Sequence, residues 1–315
     1  MISRKKVVAL GGGHGLAATL TGLRNFTSAI TAIVTVADNG GSSGRLRAEF
    51  PIMPPGDLRM ALAALCSDDE WGRSWAEILQ YRFTGQGELN GHAVGNLLLA
   101  ALWDRDEDSV AGLDRVGELL KVVGRVLPMA SEPLDIEATF EDSHGVRNVR
   151  GQVEVATASG RLQSLRIIPA NPQARSESLQ AIADAEWITM GPGSWFSSVI
   201  PHLLVPAQRE AIINSKAKKI LLLNLDTADS GAGEYAGYSP LEHFQILHQY
   251  APELHFDLVV VDSSAAGRNE LKDHLSTLGS EFLDADLRSS ASAMHHDAKK
   301  LGHLFAHIEK EILVG

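Results

Sequence analysis

The chain has 315 residues, 44% of them hydrophobic and 21% charged, which is enough for one large α/β domain or two smaller ones around a sizeable core. Its formal net charge of −11 argues against a nucleic-acid polyanion as the main partner, while leaving room for a local nucleotide site. Cys66 is the single cysteine, so no intramolecular disulfide framework exists, and no apolar run approaches a membrane span. Val7-Val8-Ala9-Leu10 runs into glycines instead of a signal-peptide core, so a cytoplasmic protein without membrane insertion is expected.

In chain order, Val7–Leu10 reads as a buried strand and Leu16–Phe26 as a helix, with Gly11-Gly12-Gly13-His14-Gly15 between them. Strand, glycine turn and helix together present free N–H groups and a positive helix end to an anion. Gly13-x-Gly15-x-x-Ala18 also fits a dinucleotide-type fingerprint, and Asp38, after the β-branched run Ile30–Ala37, stands where a ribose-binding carboxylate is expected. A turn that only tightens strand against helix is the competing reading. Strand, helix, strand implies a right-handed parallel crossover.

A long polar loop, Asp38 to Asp57, comes next. Asp38, Asn39, Gly40, Ser42, Ser43 and Arg45 offer a carboxylate, an amide, hydroxyls and a guanidinium, which suit a sugar or phosphate. Pro54-Pro55-Gly56-Asp57-Leu58-Arg59 reads as a rigid turn with Asp57 as the N-cap of a helix over Leu58–Cys66. Arg59 is placed to meet a phosphate or an acid. Further helices are expected over Trp71–Phe83, Asn96–Trp103 and Gly112–Val123, with a second glycine-rich patch at Gly85–Gly95. There, Asn90, His92 and Asn96 surround glycines. His92 is the leading general acid/base candidate because its pKa lies near neutrality, with loop shaping as its structural alternative.

From Leu127 to Ile168 the texture alternates, which predicts an antiparallel meander of about 127–168, with strands at Asp135–Glu141, Val149–Ala156 and Gln163–Ile168. The parallel pattern resumes with a helix over Glu177–Ala185 and a strand over Trp187–Met190. Gly191-Pro192-Gly193-Ser194 then makes a second phosphate-cradle geometry, so Gly191, Gly193 and Ser194 join the binding set. Two cradles fit one extended ligand, such as a nucleoside diphosphate with a substituent. A helix over Val205–Ser215 and strands over Lys219–Leu225 and Leu258–Val261 follow. Asp226 and Glu234 are candidate Mg²⁺ ligands or merely loop acids, and Asp57 is a further weak metal candidate. Ala291–Leu313 reads as an amphipathic helix, on which His296, His303 and His307 form a polar face rather than a zinc site.

Five ordered blocks, Gly11-Gly12-Gly13-His14-Gly15-Leu16, Asp38-Asn39-Gly40-Gly41-Ser42-Ser43-Gly44, Pro55-Gly56-Asp57-Leu58-Arg59, Gly91-His92-Ala93-Val94-Gly95-Asn96 and Gly191-Pro192-Gly193-Ser194, resemble the YvcK family. These are the bacterial gluconeogenesis factors of the CofD-like superfamily, and the likeness spans most of the chain, continuing through Pro201-His202-Leu203-Leu204-Val205. The resemblance implies one CofD-like Rossmann-type domain over 1–315. Its mostly parallel sheet would be flanked by helices and carry the small antiparallel β insertion. It also implies UDP-sugar binding, UDP-N-acetylglucosamine in particular, and a regulatory role in cell shape and envelope synthesis on gluconeogenic carbon. A homo-oligomer and an envelope-synthesis partner are expected with it. The sister branch, CofD, implies the alternative: Mg²⁺-dependent transfer of phospho-lactate from a guanosine diphosphate donor to a deazaflavin. His14 and Ala17 stand where the family usually has Thr and Ser, and Trp195-Phe196-Ser197-Ser198 replaces Leu-Tyr-Thr-Ser. The CofD-type acidic pair after the second strand is replaced by Gly41-Ser42, which favours the regulator over the transferase.

Overall fold

A computed structural model describes residues 3–106, 108–143, 145–225, 238–290 and 295–313. β1 (Val7–Gly11), α1 (Gly13–Arg24) and β2 (Ile30–Val34) open the chain, and β1 pairs β2 in parallel. Four of the next five elements are helices of the body: α3 (Pro55–Leu65), α4 (Glu70–Gln80), α5 (Val94–Asp106) and α6 (Ser109–Leu120). The fifth is α2 (Gly41–Glu49), which lies inside the segment expected to be loop. Its sequence, Gly-Ser-Ser-Gly-Arg-Leu-Arg-Ala-Glu, carries no apolar periodicity, and only Ser42, Ser43 and Leu46 are buried. Contacts with α3 and α5 hold it, a tertiary influence that local pattern does not show.

Next, β3 (Arg125–Pro128) pairs β2 in parallel, so Leu127 and Pro128 belong to the main sheet and not to the meander. The antiparallel sheet consists of β4 (Asp135–Asp142), β5 (Gly145–Arg150) and β6 (Arg161–Ile168), in the order β5-β4-β6. Gly151, at φ 111°, ends β5, and α7 (Gln152–Ala156) occupies most of the stretch expected to be strand. The parallel body resumes with α8 (Ser176–Asp184) and β7 (Trp187–Met190). A π-helical turn over Trp195–Val199 leads into α9 (Pro201–Leu204) and α10 (Pro206–Asn214). β8 (Lys218–Leu222), α11 (Pro240–Tyr250), β9 (Leu258–Asp262), α12 (Arg268–Leu278) and β10 (Glu281–Ala285) complete the sheet. The last α-helix among the described residues is α13 (Ala298–His307), continued by a π-helical turn over Ile308–Ile312. It starts later than expected because Asp297 caps it, accepting from the Lys299 and Lys300 N–H groups. His296 therefore precedes the helix, with His295 beside it, instead of sharing a face with His303 and His307.

Seven parallel strands run in the order β10-β9-β8-β7-β1-β2-β3. β1, β7 and β9 are buried at every position, as a sheet covered on both faces requires. From β1 the chain builds outward through β2 and β3. From β7 it builds the other way. The reversal falls between β1 and β7, and ligands of open parallel sheets sit in the crevice outside the carboxyl ends of the strands at such a point.

Candidate functional site

Both glycine loops leave the sheet at that crevice. After β1, Gly12 stands at the N-terminus of α1 with no side-chain cap of its own, and of the first-turn N–H groups that of Gly13 is taken by the Asp57 carboxylate. Gly13 holds φ +57°, and a Cβ there would meet only Asp57 Oδ1, at 3.9 Å. A Cβ on Gly15 would lie 2.3 Å from the Pro192 carbonyl oxygen and 2.8 Å from Gly193 Cα. The absent side chain at Gly15 is what lets the two loops touch.

Several buried bonds hold the second loop on the first. The Thr19 hydroxyl donates to the Gly191 carbonyl at 3.3 Å, and the Thr35 hydroxyl to the Ser197 carbonyl at 3.2 Å. His202 Nε2 donates to the Gly11 carbonyl at 3.2 Å, while Gln208 Nε2 donates to His202 Nδ1 at 2.9 Å. Burial pushes the His202 pKa down to about 4, so the ring is neutral. Asn224, just beyond β8, clamps Gly193 from both sides: its Oδ1 accepts from the Gly193 N–H at 2.8 Å and its Nδ2 donates to the Gly193 carbonyl at 2.5 Å. Ser194 caps the π-helical turn by accepting from the Ser197 N–H at 3.1 Å. In the Trp195–Ser198 block, Trp195 and Phe196 enter the core while Ser197 and Ser198 line the cleft.

The cleft measures about 340 Å³. Gly12 to Gly15 form one wall, and Gly193, Ser194, Ser197 and Ser198 the other. Asp57, Gln152, Asn224, His295 and His296 close the space between them. Asp57 is the third residue of α3, whose N-cap is Pro54 with no side-chain cap; it is not the cap expected from sequence. Its carboxylate turns to the first glycine loop instead and accepts from the Gly13 backbone. Burial first, then the Asp38 charge, push its pKa up to about 7. Asp38 lies close by, since a Cβ on Gly56 would come within 2.5 Å of its Oδ2. The His14 and His295 rings meet at 5.8 Å across the mouth. Partial desolvation, then His295 and Arg59, lower the His14 pKa. Burial pushes His296 down to about 4, despite a backbone hydrogen bond to Leu223.

Other expected site residues lie behind the cleft. His92 Nδ1 is 2.9 Å from the Ser42 hydroxyl, to which Asn96 Nδ2 donates at 3.1 Å, and Arg59 Nε donates to Asn96 Oδ1 at 2.8 Å. Arg59 also bonds Gln80 of α4. This buried chain of bonds fixes α2, α3 and α5 together, and His92 does not line the cleft. Burial first, then Arg45, lower the His92 pKa. Arg45 donates to the Glu88 and Asn90 carbonyls, which shapes the exposed loop instead of the cleft. Asn39 ties the β insertion to the body, donating to Glu154 Oε2 at 3.1 Å and accepting from the Val153 N–H at 3.2 Å. Asp38 accepts from the Gly40 N–H, and Ser43 from the Gly56 N–H. Asp226 and Glu234 lie outside the described residues.

The sequence profile described as 2-phospho-L-lactate transferase CofD matches residues 7–304, spanning both glycine loops, the insertion and His296. The chain belongs to the CofD family. Among CofD-family relatives, a Mycobacterium tuberculosis protein named "Putative gluconeogenesis factor" is 46% identical over 301 residues, covering 93% of this chain and 87% of the relative. A Bacillus subtilis protein named "Gluconeogenesis factor" is 34% identical, covering 99% of this chain and 100% of its own length. A crystal structure of a Bacillus halodurans protein superposes with TM-score 0.85 at 33% identity, over 96% of this chain and 100% of that one. A second structure from that organism, described as a member of the UPF0052 family, gives TM-score 0.82 at 31% identity.

In this candidate cleft, sequence reasoning left out Gln152, Asn224, His295 and His296, and behind it the clamp His202. Asn224 carried a usable signal, because it follows an apolar strand as Asp38 does. Gln152 carried none, since only folding of the insertion brings it to the cleft.

Proposed function

We propose that the chain is a regulator that binds a UDP-sugar of the UDP-N-acetylglucosamine type, and that it serves cell shape and envelope synthesis during gluconeogenic growth. The contact between the two glycine loops at the sheet's reversal point supports this reading most. One loop would suffice for a single phosphate; two in contact suit a diphosphate. The His14 and Gly15 N–H groups of α1 and the Ser198 hydroxyl stand on opposite walls as donors. Gln152 offers an amide to sugar hydroxyls, a task expected of Asn39, whose own amide is committed to the insertion. The names of the relatives favour the gluconeogenic setting.

Asp38 and Asp57 favour a second reading, the CofD-type transferase. Mg²⁺ is commonly held by one or two carboxylates together with substrate phosphates, and this pair provides hard oxygen donors beside the cradle. When bound there, Mg²⁺ would neutralise phosphate charge. Without it, Asp57 holds a proton to about pH 7 and so spares the cradle a second negative charge.

Saturating the protein with UDP-N-acetylglucosamine, with and without Mg²⁺, and recovering the nucleotide for mass analysis separates the two. Intact ligand after saturable binding is the expected result. Formation of a phospho-lactyl product from a guanosine diphosphate donor and a deazaflavin would establish the transferase instead.

A further inference from the structure

Among the described residues that line the cleft there is neither lysine nor arginine, and the sequence of 226–237 and 291–294 adds none. The guanidinium of Arg59 lies behind the wall, bonded to Asn96 and Gln80, and that of Arg288 is bonded to Asp262. A diphosphate would bring two negative charges into this partly desolvated space, where charge without compensation is costly. The end of α1 offsets only about half an elementary charge. The lining side chains that can become cationic are His14, His295 and His296. Burial pushes the His296 pKa down to about 4 and leaves that ring neutral. His14 stands exposed on the first turn of α1, with its ring 5.8 Å from that of His295 across the mouth.

We propose that His14 supplies the missing charge by taking up a proton as a diphosphate enters, with His295 facing it across the mouth, so that binding strengthens as pH falls through neutrality. This charge switch rests on the diphosphate reading of the cleft. In the empty mouth His14 is mostly neutral at pH 7, because partial desolvation first, then the charges of His295 and Arg59, oppose a proton there. Those two cationic groups face His14 from the segment before α13 and from α3. Asp57 of α3 is the acid of the same cleft, and it keeps its own proton to about pH 7. A diphosphate beside the ring reverses the balance, since an opposite charge within about 4–6 Å favours the cationic form. Linkage then fixes the sign: a group whose pKa rises on binding makes affinity fall as pH rises between its free and bound values. One proton accounts for at most about tenfold per pH unit.

Calorimetric titration with UDP-N-acetylglucosamine, without Mg²⁺ and in buffers of different ionisation enthalpy, counts the protons taken up on binding. Both phosphates of this probe are esterified, so the probe itself does not titrate near neutrality. Wild type is expected to bind about tenfold more tightly at about pH 6 than at about pH 8, and to take up more protons than His14→Gln by up to about one. His14→Lys keeps its charge, so it is expected to lose the His14 share of the pH dependence and to bind more tightly than His14→Gln at about pH 8. Uptake that persists undiminished in His14→Gln would belong to Asp57 and would overturn the assignment. Binding of UDP-N-acetylglucosamine with no proton uptake would also overturn it, while leaving the UDP-sugar reading intact. GDP-mannose, which keeps the diphosphate and changes base and sugar, separates the two further. If it alone binds, with uptake lost in His14→Gln, the charge switch stands and the UDP-sugar reading falls. No proton-linked binding of either probe would refute the switch.

Discussion

At Asp57, burial and the Asp38 carboxylate oppose ionisation. In the unfolded chain this acid loses its proton near its ordinary value of 3.8; in the folded chain it keeps it to about pH 7. Between those values the native state binds more protons, so this group lowers stability as pH rises from about 4 to 7. Asp57→Asn should therefore melt above wild type at pH 8, by up to about 4 kcal/mol, with the gap narrowing toward pH 5. A pH-independent gap in urea melts would contradict the assignment. His202 works in the opposite sense. It is neutral and buried, with a folded pKa of about 4 against 6.5, so its contribution is complete above pH 6.5 and is lost as pH falls toward 4. The loss is about 3 kcal/mol for a shift of this size. His202→Gln should shallow the acid limb of the stability profile by up to about one proton. Equal slopes in the two proteins would show that the ring is not the buried neutral group described. Neither environment is legible in a linear sequence: Asp57 looks like a helix cap, and His202 like any histidine after a proline.

Among the elements, the legible ones are the continuous apolar strands and the longer amphipathic helices, such as β9, α3 and α6, and the sharpest bounds are those set by glycine. β1 and β7 match expectation because buried parallel strands are continuous runs with sharp stops. α2 and α7 were invisible, since polar short helices owe their shape to neighbours rather than to periodicity. The contact between glycine loops is a property of two elements together, and it is testable there. In Gly15→Val the new Cβ would meet the Pro192 carbonyl at 2.3 Å, so the loops must part. The expected result is a loss of about 1–3 kcal/mol of stability together with at least a hundredfold weaker nucleotide binding. Wild-type affinity in that variant would show that the loops act separately.

For the whole molecule, the family likeness carried the fold correctly, down to a parallel sheet with an antiparallel insertion. It did not carry the composition of the cleft. Gly193 and Asn224 stand in the loops after β7 and β8, 31 residues apart in sequence, yet share two hydrogen bonds. Gln152 arrives from the insertion, and His295 and His296 from the far end of the chain. Such convergence is set by strand order, which no local pattern encodes. It also explains why His92, prominent in sequence, ends one layer behind the cleft.

The most direct measurement is calorimetric titration of wild type and Gly13→Leu with UDP-N-acetylglucosamine at pH 8, with and without Mg²⁺. At Gly13 a side chain would project toward the cleft with only Asp57 Oδ1 near, at 3.9 Å, so the fold should survive with about 1–2 kcal/mol of backbone strain. Saturable wild-type binding, tightened by Mg²⁺ and absent from the folded variant, is the predicted outcome. Equal binding by both proteins, or none by wild type at millimolar ligand, would contradict the cradle.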